Sequence, residues 1–146
     1  MPQPKIVTDE NPAKELRDAI LRPLMDYNDS KAGPSNYVPF ALFIRDPESD
    51  DILGGLWAHS AYDWMFVELI IVPEKLRGTG LGSRLIRQAE ATAAARGCTG
   101  IWLDTFSFQA RGFYEKLGYE LFGSIDNYPK NGSRFFFRKQ LPQRDA

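Results

Sequence analysis

A chain of 146 residues, 43% hydrophobic and 25% charged, has the size and composition of one globular domain that buries a core without staples. Its net charge of −1 offers no basic field for nucleic acid, and a single cysteine (Cys98) and a single histidine (His59) exclude an intrachain disulfide, a multi-cysteine metal site and a histidine-rich centre, so no metal is expected. The N-terminal residues lack the apolar core of a signal peptide and the most apolar run, residues 64–72, is too short to span a bilayer and carries Glu68, so no membrane partner and a cytoplasmic location are expected.

A single domain over residues 1–146 is expected, with 1–10 and 142–146 as frayed tails. Asn11 and Pro12 mark a helix start, proline being tolerated at the first helical position. Leu16, Ile20, Leu21, Leu24 and Met25 follow at helical spacing, with Pro23 as a kink or boundary. A glycine and proline loop over 29–35 leads into a strand over 38–45, a polar turn over 46–51 and a second strand over 52–59 that forms a hairpin with the first. After a turn at 60–63 comes a strand over 64–72. A helix over 81–96 carries Leu81, Leu85, Ala89 and Ala93 on one face and stops at Gly97. Residues 101–106 are apolar on both faces, as in a central strand. A short helix over 109–117 closes at Gly118, and 119–125 with 133–140 make a last hairpin, for which Asn131 and Gly132 are the turn signal. A meander followed by strand, helix, strand, helix and strand predicts a mixed sheet with helices on both faces.

Gly78, Gly80 and Gly82 lie between the strand over 64–72 and the helix over 81–96. Glycine permits positive φ and close approach to the main chain. The first N–H groups of a helix lack partners and its dipole is positive there, so strand, glycine turn and helix together suit a phosphate or pyrophosphate. Ser83 and Arg84 after Gly82 do not match the Gly-Lys-Ser/Thr ending of the nucleotide P-loop. The dinucleotide fingerprint is met at Gly78 and Gly80 but not at Ser83, and Pro73 to Arg77 separate it from its strand; Asp104 stands where that motif places its ribose acid.

Arg77-x-x-Gly80-x-Gly82 resembles the acetyl-CoA signature of the GNAT superfamily of N-acetyltransferases. Ala110-Arg111-Gly112-Phe113-Tyr114-Glu115-Lys116-Leu117-Gly118-Tyr119 is similar to that family's late A-x-x-F/L-Y-x-K-x-G-F/Y segment. The resemblance covers most of the chain and is strongest over residues 52–140; one departure is Ser107, where the family often carries asparagine. It implies acetyl-CoA as co-substrate. The pantetheine arm would pair along the open edge of a splayed strand at Ile70, Ile71 and Val72. The pyrophosphate would lie on the loop of Arg77, Gly78, Thr79, Gly80, Leu81, Gly82 and Ser83, with little asked of the Thr79 and Leu81 side chains. Arg84 or Arg87 either reaches a phosphate or belongs to a solvated helix face.

Amide formation from a thioester requires an amine that loses its proton and a thiolate that gains one, and general acid–base help is worth about 10²–10⁴-fold for each. The resemblance puts Tyr114 beside the cofactor sulfur as the acid, whereas helical spacing alone reads it with Phe113 and Leu117 as core. Glu68 interrupts an apolar strand, where a carboxylate is costly unless paired, hydrated or in a cleft. Related enzymes carry a glutamate near this point as a base, and an ordinary ion pair is the other reading. Alternation sets Glu68, Ile70 and Val72 on one face and Leu69 and Ile71 on the other. His59 is an alternative base, since histidine titrates near neutrality, or a solvated residue at a strand end. Asp104 either receives the substrate amine or caps its turn. Trp57, Phe106 and Tyr128 are expected to rim the acceptor side, with Asp126 adding a negative charge for a cationic amine.

These expectations describe an α/β (mixed α+β) fold: one GNAT-like domain with a twisted, mostly antiparallel mixed sheet of about six to seven strands. The expected activity is direct acetyl transfer from acetyl-CoA to a primary amine of a small molecule, by a monomer or homodimer. The alternatives are a non-catalytic acetyl-CoA sensor and an NAD(P)-binding oxidoreductase.

Overall fold

The computed structural model describes residues 2–109 and 111–143; the expected tail residues 144–146 and Ala110 of the late motif lie outside that range. The chain divides into two compact units, residues up to 35 and residues from 36 onward.

The first unit holds a 3-10 turn, Lys14–Arg17, that runs into helix α1, Asp18–Ala32. The helix does not start at Asn11 and Pro12: Ala13 is extended, with φ −63° and ψ 140°, and coil winding begins after it. Pro23 sits inside α1 without ending it, and Gly33 stops the helix with φ 79°, a conformation that costs glycine little. No residue of the 3-10 turn or of α1 is buried.

The second unit contains strands β1 (Val38–Arg45), β2 (Ile52–Ala61), β3 (Trp64–Ile71), β4 (Gly100–Phe106), β5 (Glu120–Asp126) and β6 (Ser133–Gln140), with helices α2 (Leu81–Ala95) and α3 (Arg111–Lys116). They form one sheet in the order β1-β2-β3-β4-β6-β5. Every pair is antiparallel except β3 with β4, because α2 crosses over between those two strands and returns the chain in the same direction. The β2–β3 turn is tighter than expected: β2 continues to Ala61, and Tyr62 and Asp63 turn the chain with φ 48° and 64°, the backbone of a two-residue hairpin. At the β5–β6 end the opposite holds. Asn131 takes φ 67°, but it closes a loop over 127–132 in which the Asn127 N–H bonds to the Gly132 carbonyl at 2.8 Å.

α2 buries Leu85, Ile86, Ala89 and Ala93 against Leu56 and Ala58 of β2, Met65 and Val67 of β3, Ile101 and Leu103 of β4, and Phe137 of β6. Its two buried alanines let the helix axis lie close to the sheet, where larger side chains would hold it off. Leu81 of the expected stripe is only half-buried, and Ile86 takes its place. α3 puts Tyr114 into the same core, so within this unit both helices cover one face of the sheet. Arg96, at the end of α2, donates to the Val38 carbonyl at 2.7 Å and the Ser60 hydroxyl at 3.0 Å and fastens the far end of the helix to β1 and β2. No helix among the described residues is long and apolar enough to cross a membrane.

Gly55 fixes how closely β1 can approach β2. It has φ +142°, and a Cβ there would lie 2.0 Å from the Leu42 carbonyl oxygen. Gly55→Ala is expected to destabilise the protein by about 2–4 kcal/mol, from backbone strain together with the clash. Urea unfolding checks this, and a change below about 0.5 kcal/mol, the size of an ordinary surface substitution, would contradict it.

Candidate active site

One extra residue shapes the centre of the sheet. Trp57 faces Leu69 and Ala58 faces Val67, so Glu68 has no partner of its own on β2 and forms a β-bulge. The bulge overturns the simple alternation expected from the sequence. Met65 and Val67 point into the core, and after the extra residue Ile70 and Val72 pack against that same core. Glu68 instead shares the opposite face with His59. β3 and β4 pair only from Trp64–Gly100 to Val67–Leu103, so the two strands part at the bulge. Beyond it, β3 keeps β2 as its partner and β4 keeps β6. A gap opens between them on the side of β3 that faces β4, and Leu69 (67% exposed) and Ile71 (55% exposed) stand beside it.

The glycine loop follows at the end of β3. Gly78 and Gly80 take φ +80° and +86°, and nothing lies within 4 Å of a Cβ built on either. Gly80 is the N-cap of α2, and no side chain caps the helix. The Leu81, Gly82 and Ser83 N–H groups have no acceptor among the described residues, while the Arg84 N–H bonds to the Gly80 carbonyl. Open N–H groups, a positive helix end and bare glycine backbone fit a phosphate-bearing ligand.

Arg77 and Thr79 have other duties, and Gly82 has a packing role besides its open N–H. The Arg77 side chain donates to the Val72 carbonyl at 3.1 Å, and its N–H bonds to Glu74, so Arg77 pins the loop to the strand end. The Thr79 hydroxyl donates to the Leu76 carbonyl. A Cβ on Gly82 would lie 3.2 Å from Phe113 and 3.8 Å from Val72, so this glycine lets α3, the loop and the end of β3 meet at one point. Arg87 lies 3.8 Å from Glu90 on the α2 surface.

Tyr114 follows Phe113 on α3 and is buried against Phe113, Tyr119 and Phe137. The core-packing and acid readings are therefore not exclusive: the ring packs, and its hydroxyl has no hydrogen-bond partner among the described residues. Burial, with a smaller contribution from the Asp104 charge, pushes its pKa up to about 12, so the phenol keeps its proton at all ordinary pH. Ser107, in the asparagine position of the resemblance, instead accepts the Ser133 N–H at 2.9 Å and holds the start of β6.

Across the sheet, the remaining candidates form two groups. His59 Nδ1 lies 3.6 Å from Glu68 Oε2, with the imidazole between Tyr37 at 4.6 Å and Phe66 at 5.7 Å. His59 is therefore half-buried and paired with Glu68, and the Trp57 side chain shares its face, 44% exposed. The second group centres on Arg134, which the sequence did not single out. Its guanidinium bonds to Asp104 Oδ1 at 2.8 and 2.9 Å and to the Tyr128 hydroxyl at 2.8 Å. It also lies over the Phe106, Tyr128 and Phe136 rings. Asp104 is thus neutralised and is not a free acid for a substrate amine or a ribose. Phe106 stacks on Phe108 at 5.3 Å and on Tyr128 at 5.6 Å, and Phe108, 72% exposed, ends the stack in solvent. Asp126 accepts from the Ser133 hydroxyl at 3.3 Å and is exposed.

A family model described as the acetyltransferase (GNAT) family matches residues 7–119. The acetyltransferase Atu2258 of Agrobacterium fabrum is 37% identical over 111 residues, covering 76% of this chain and 80% of that protein. The blasticidin-S acetyltransferase of Streptomyces morookaense is 43% identical over 95 residues, covering 64% of this chain and 70% of that protein. A crystal structure of an acetyltransferase from Bacillus cereus superposes with a TM-score of 0.81 at 31% identity, covering 92% of this chain and 98% of that one.

The Tyr114 environment has a spectroscopic consequence. At pH 10.5 an exposed tyrosine is mostly ionised, whereas Tyr114, raised to about 12, is not. Tyr114→Phe should therefore leave the phenolate absorbance of the folded protein at pH 10.5 unchanged. Loss of about one tyrosine's worth of phenolate signal would show that the hydroxyl is freely hydrated.

Proposed function

The chain belongs to the acetyltransferase (GNAT) family and is an acetyl-transferring enzyme, and from that premise we propose that it moves the acetyl group of acetyl-CoA directly to a primary amine of a small molecule, acting as one domain. The observation that carries this reading is the meeting of three elements at Gly82: the end of β3, the uncapped start of α2, and the α3 turn that bears Tyr114. Residues 70–72 offer main-chain groups along the gap to the pantetheine arm. The N–H groups of Gly78, Gly80, Gly82 and Ser83 offer donors to the pyrophosphate. When bound, acetyl-CoA supplies the thioester carbonyl carbon that accepts the amine.

The chain's own groups then divide the work. A main-chain N–H beside the gap stabilises the negative charge that develops on the carbonyl oxygen. Tyr114, protonated at neutral pH, donates its hydroxyl proton toward the departing sulfur. Glu68 takes the proton from the amine on the opposite face of the sheet. The acceptor enters from that opposite face, between Trp57 on one side and Phe106, Phe108 and Tyr128 on the other. A rim of ring faces around the opening suits a compact acceptor with flat surfaces, and the blasticidin-S acetyltransferase among the relatives supports a small-molecule acceptor. Asp126, expected on this rim, instead lies opposite Ser133 and bonds to it on the face of Phe135 and Phe137.

Two measurements test the reading. Gly80→Val places a branched side chain in the open space beside the loop at φ +86° and should weaken acetyl-CoA binding about tenfold or more, a loss of one charge-assisted contact's worth. Unchanged affinity by calorimetry would remove the loop from the cofactor site. Tyr114→Phe should lower kcat by about 10- to 1000-fold, the scale of a general acid, with acetyl-CoA affinity retained. Turnover is followed by CoA release over a panel of small amines that includes blasticidin S. Acetylation of a lysine peptide but of no small amine would overturn the acceptor class.

A further inference from the structure

Among the described residues, His59 Nδ1 is the one side-chain polar atom fully sealed from solvent without a hydrogen-bond partner. Such an atom is costly, because it has given up water and received nothing in return. Its nearest charged neighbour is Glu68 Oε2 at 3.6 Å, just too far for a hydrogen bond. The spacing suits two acceptors facing each other, a bare imidazole nitrogen and a carboxylate oxygen, with room for one proton between them.

The ring is held in place. Tyr37 packs on one side and Phe66 stands edge-on at the other, and Phe66 is itself stacked on Trp102 at 4.1 Å. Pro39 is the residue opposite His59 on β1, and Phe66 the one on β3, so neither directly opposite residue is charged. The titratable groups facing the imidazole are Glu68 from β3 and the Tyr37 hydroxyl from the segment before β1. Glu68 is the bulged residue at the point where β3 and β4 part, so this pair stands at the mouth of the gap.

We propose that Glu68 and His59 form a single shared proton acceptor for the acceptor amine. This rests on the acetyl-transfer reading above and assigns His59 a positioning and proton-holding role. The proton leaves the ammonium nitrogen of the acceptor, and that nitrogen keeps the electron pair with which it attacks the thioester carbon. Glu68 accepts the proton, which comes to rest between Oε2 and Nδ1. The pair ends as carboxylate and imidazolium, which satisfies the orphaned Nδ1 and draws the two groups together. The proton then returns to solvent. Neither residue alone would do this well: Glu68 is more than a third exposed in its side chain, and the His59 side chain is 21% exposed.

The chain has one histidine, so its imidazole nitrogen resonances are unambiguous in protein labelled with 15N-histidine. In Glu68→Gln the Nδ1 resonance at a fixed neutral pH should move from the position of a bare ring nitrogen toward that of a hydrogen-bonded one, because the group facing it at 3.6 Å becomes an amide that can donate. This reading needs no substrate and no activity, so it separates the pair from the acetyl-transfer assignment. Turnover supplies the second arm. Glu68→Gln and His59→Gln should each lower kcat near neutral pH and recover part of it at higher pH, and the double variant should be no slower than the slower single variant. Thermal melting confirms that each variant is folded. An unmoved Nδ1 resonance in Glu68→Gln overturns the pair even if that variant is slow, and Glu68 then acts alone. Losses that multiply in the double variant overturn it too. A shifted resonance with both variants at full turnover leaves a contact with no part in proton transfer, and the proposal fails.

Discussion

The bulge at Glu68 is the constraint on which the rest of this architecture depends. A regular β3 would continue its ladder to β4 and close the sheet, burying residues 70–72 between two strands. The extra residue increases the local twist, so pairing with β4 ends at Val67 while pairing with β2 continues. Unpaired backbone inside a sheet costs as much as any other orphaned polar group, and here the splay leaves those groups outside the β3–β4 ladder. The same residue turns its own carboxylate to the opposite face from Ile70 and Val72. A single insertion thereby separates a helix-side surface from an acceptor-side surface and connects them through the gap.

The helix side is held rigid by packing and by one polar network. Glu90 of α2 accepts from the Tyr119 hydroxyl at 2.8 Å and from Lys139 of β6, which also donates to the Leu117 carbonyl at 2.9 Å. Burial, followed by the Glu90 charge, pushes the Tyr119 pKa well up, so it remains a neutral donor. With every member satisfied, such a network rigidifies its surroundings. It ties the middle of α2 to the end of α3, and Tyr114 sits between those anchors. The uncapped glycine end of α2 is the exception, and it is the end that faces the gap.

On the opposite face of the sheet the charges are disposed differently. Asp104 and Arg134 neutralise each other in direct bonds and help to build a wall of rings. Their burial is partial, and the pair contributes order more than stability. Glu68 and His59 approach without bonding. The first pair is finished, whereas the second has room for a proton. Phe108 and Trp57 add exposed aromatic surface on either side.

Local chemistry made much of this readable in the amino-acid sequence alone. Alternating glycines before a helical stripe of Leu85, Ala89 and Ala93 located the turn of positive φ and the uncapped start of α2, because helix starts and positive φ are written in contiguous residues. The late segment marked Tyr114 for the same reason, and six strands fell close to their expected bounds. Tertiary structure decided what depends on a partner strand. The bulge exists only in the register of β3 against β2, so alternation within β3 could not reveal it. Glu68 and His59 were competing bases in the sequence and became neighbours when the hairpin folded them together. Asp104 looked free until β6 delivered Arg134 from 30 positions along the chain. Gly82 read as a ligand contact, and only the folded chain shows that Phe113 packs where its Cβ would be. Backbone preference is a property of a few adjacent residues, whereas side-chain pairing is set by register, and register is settled only when distant strands meet.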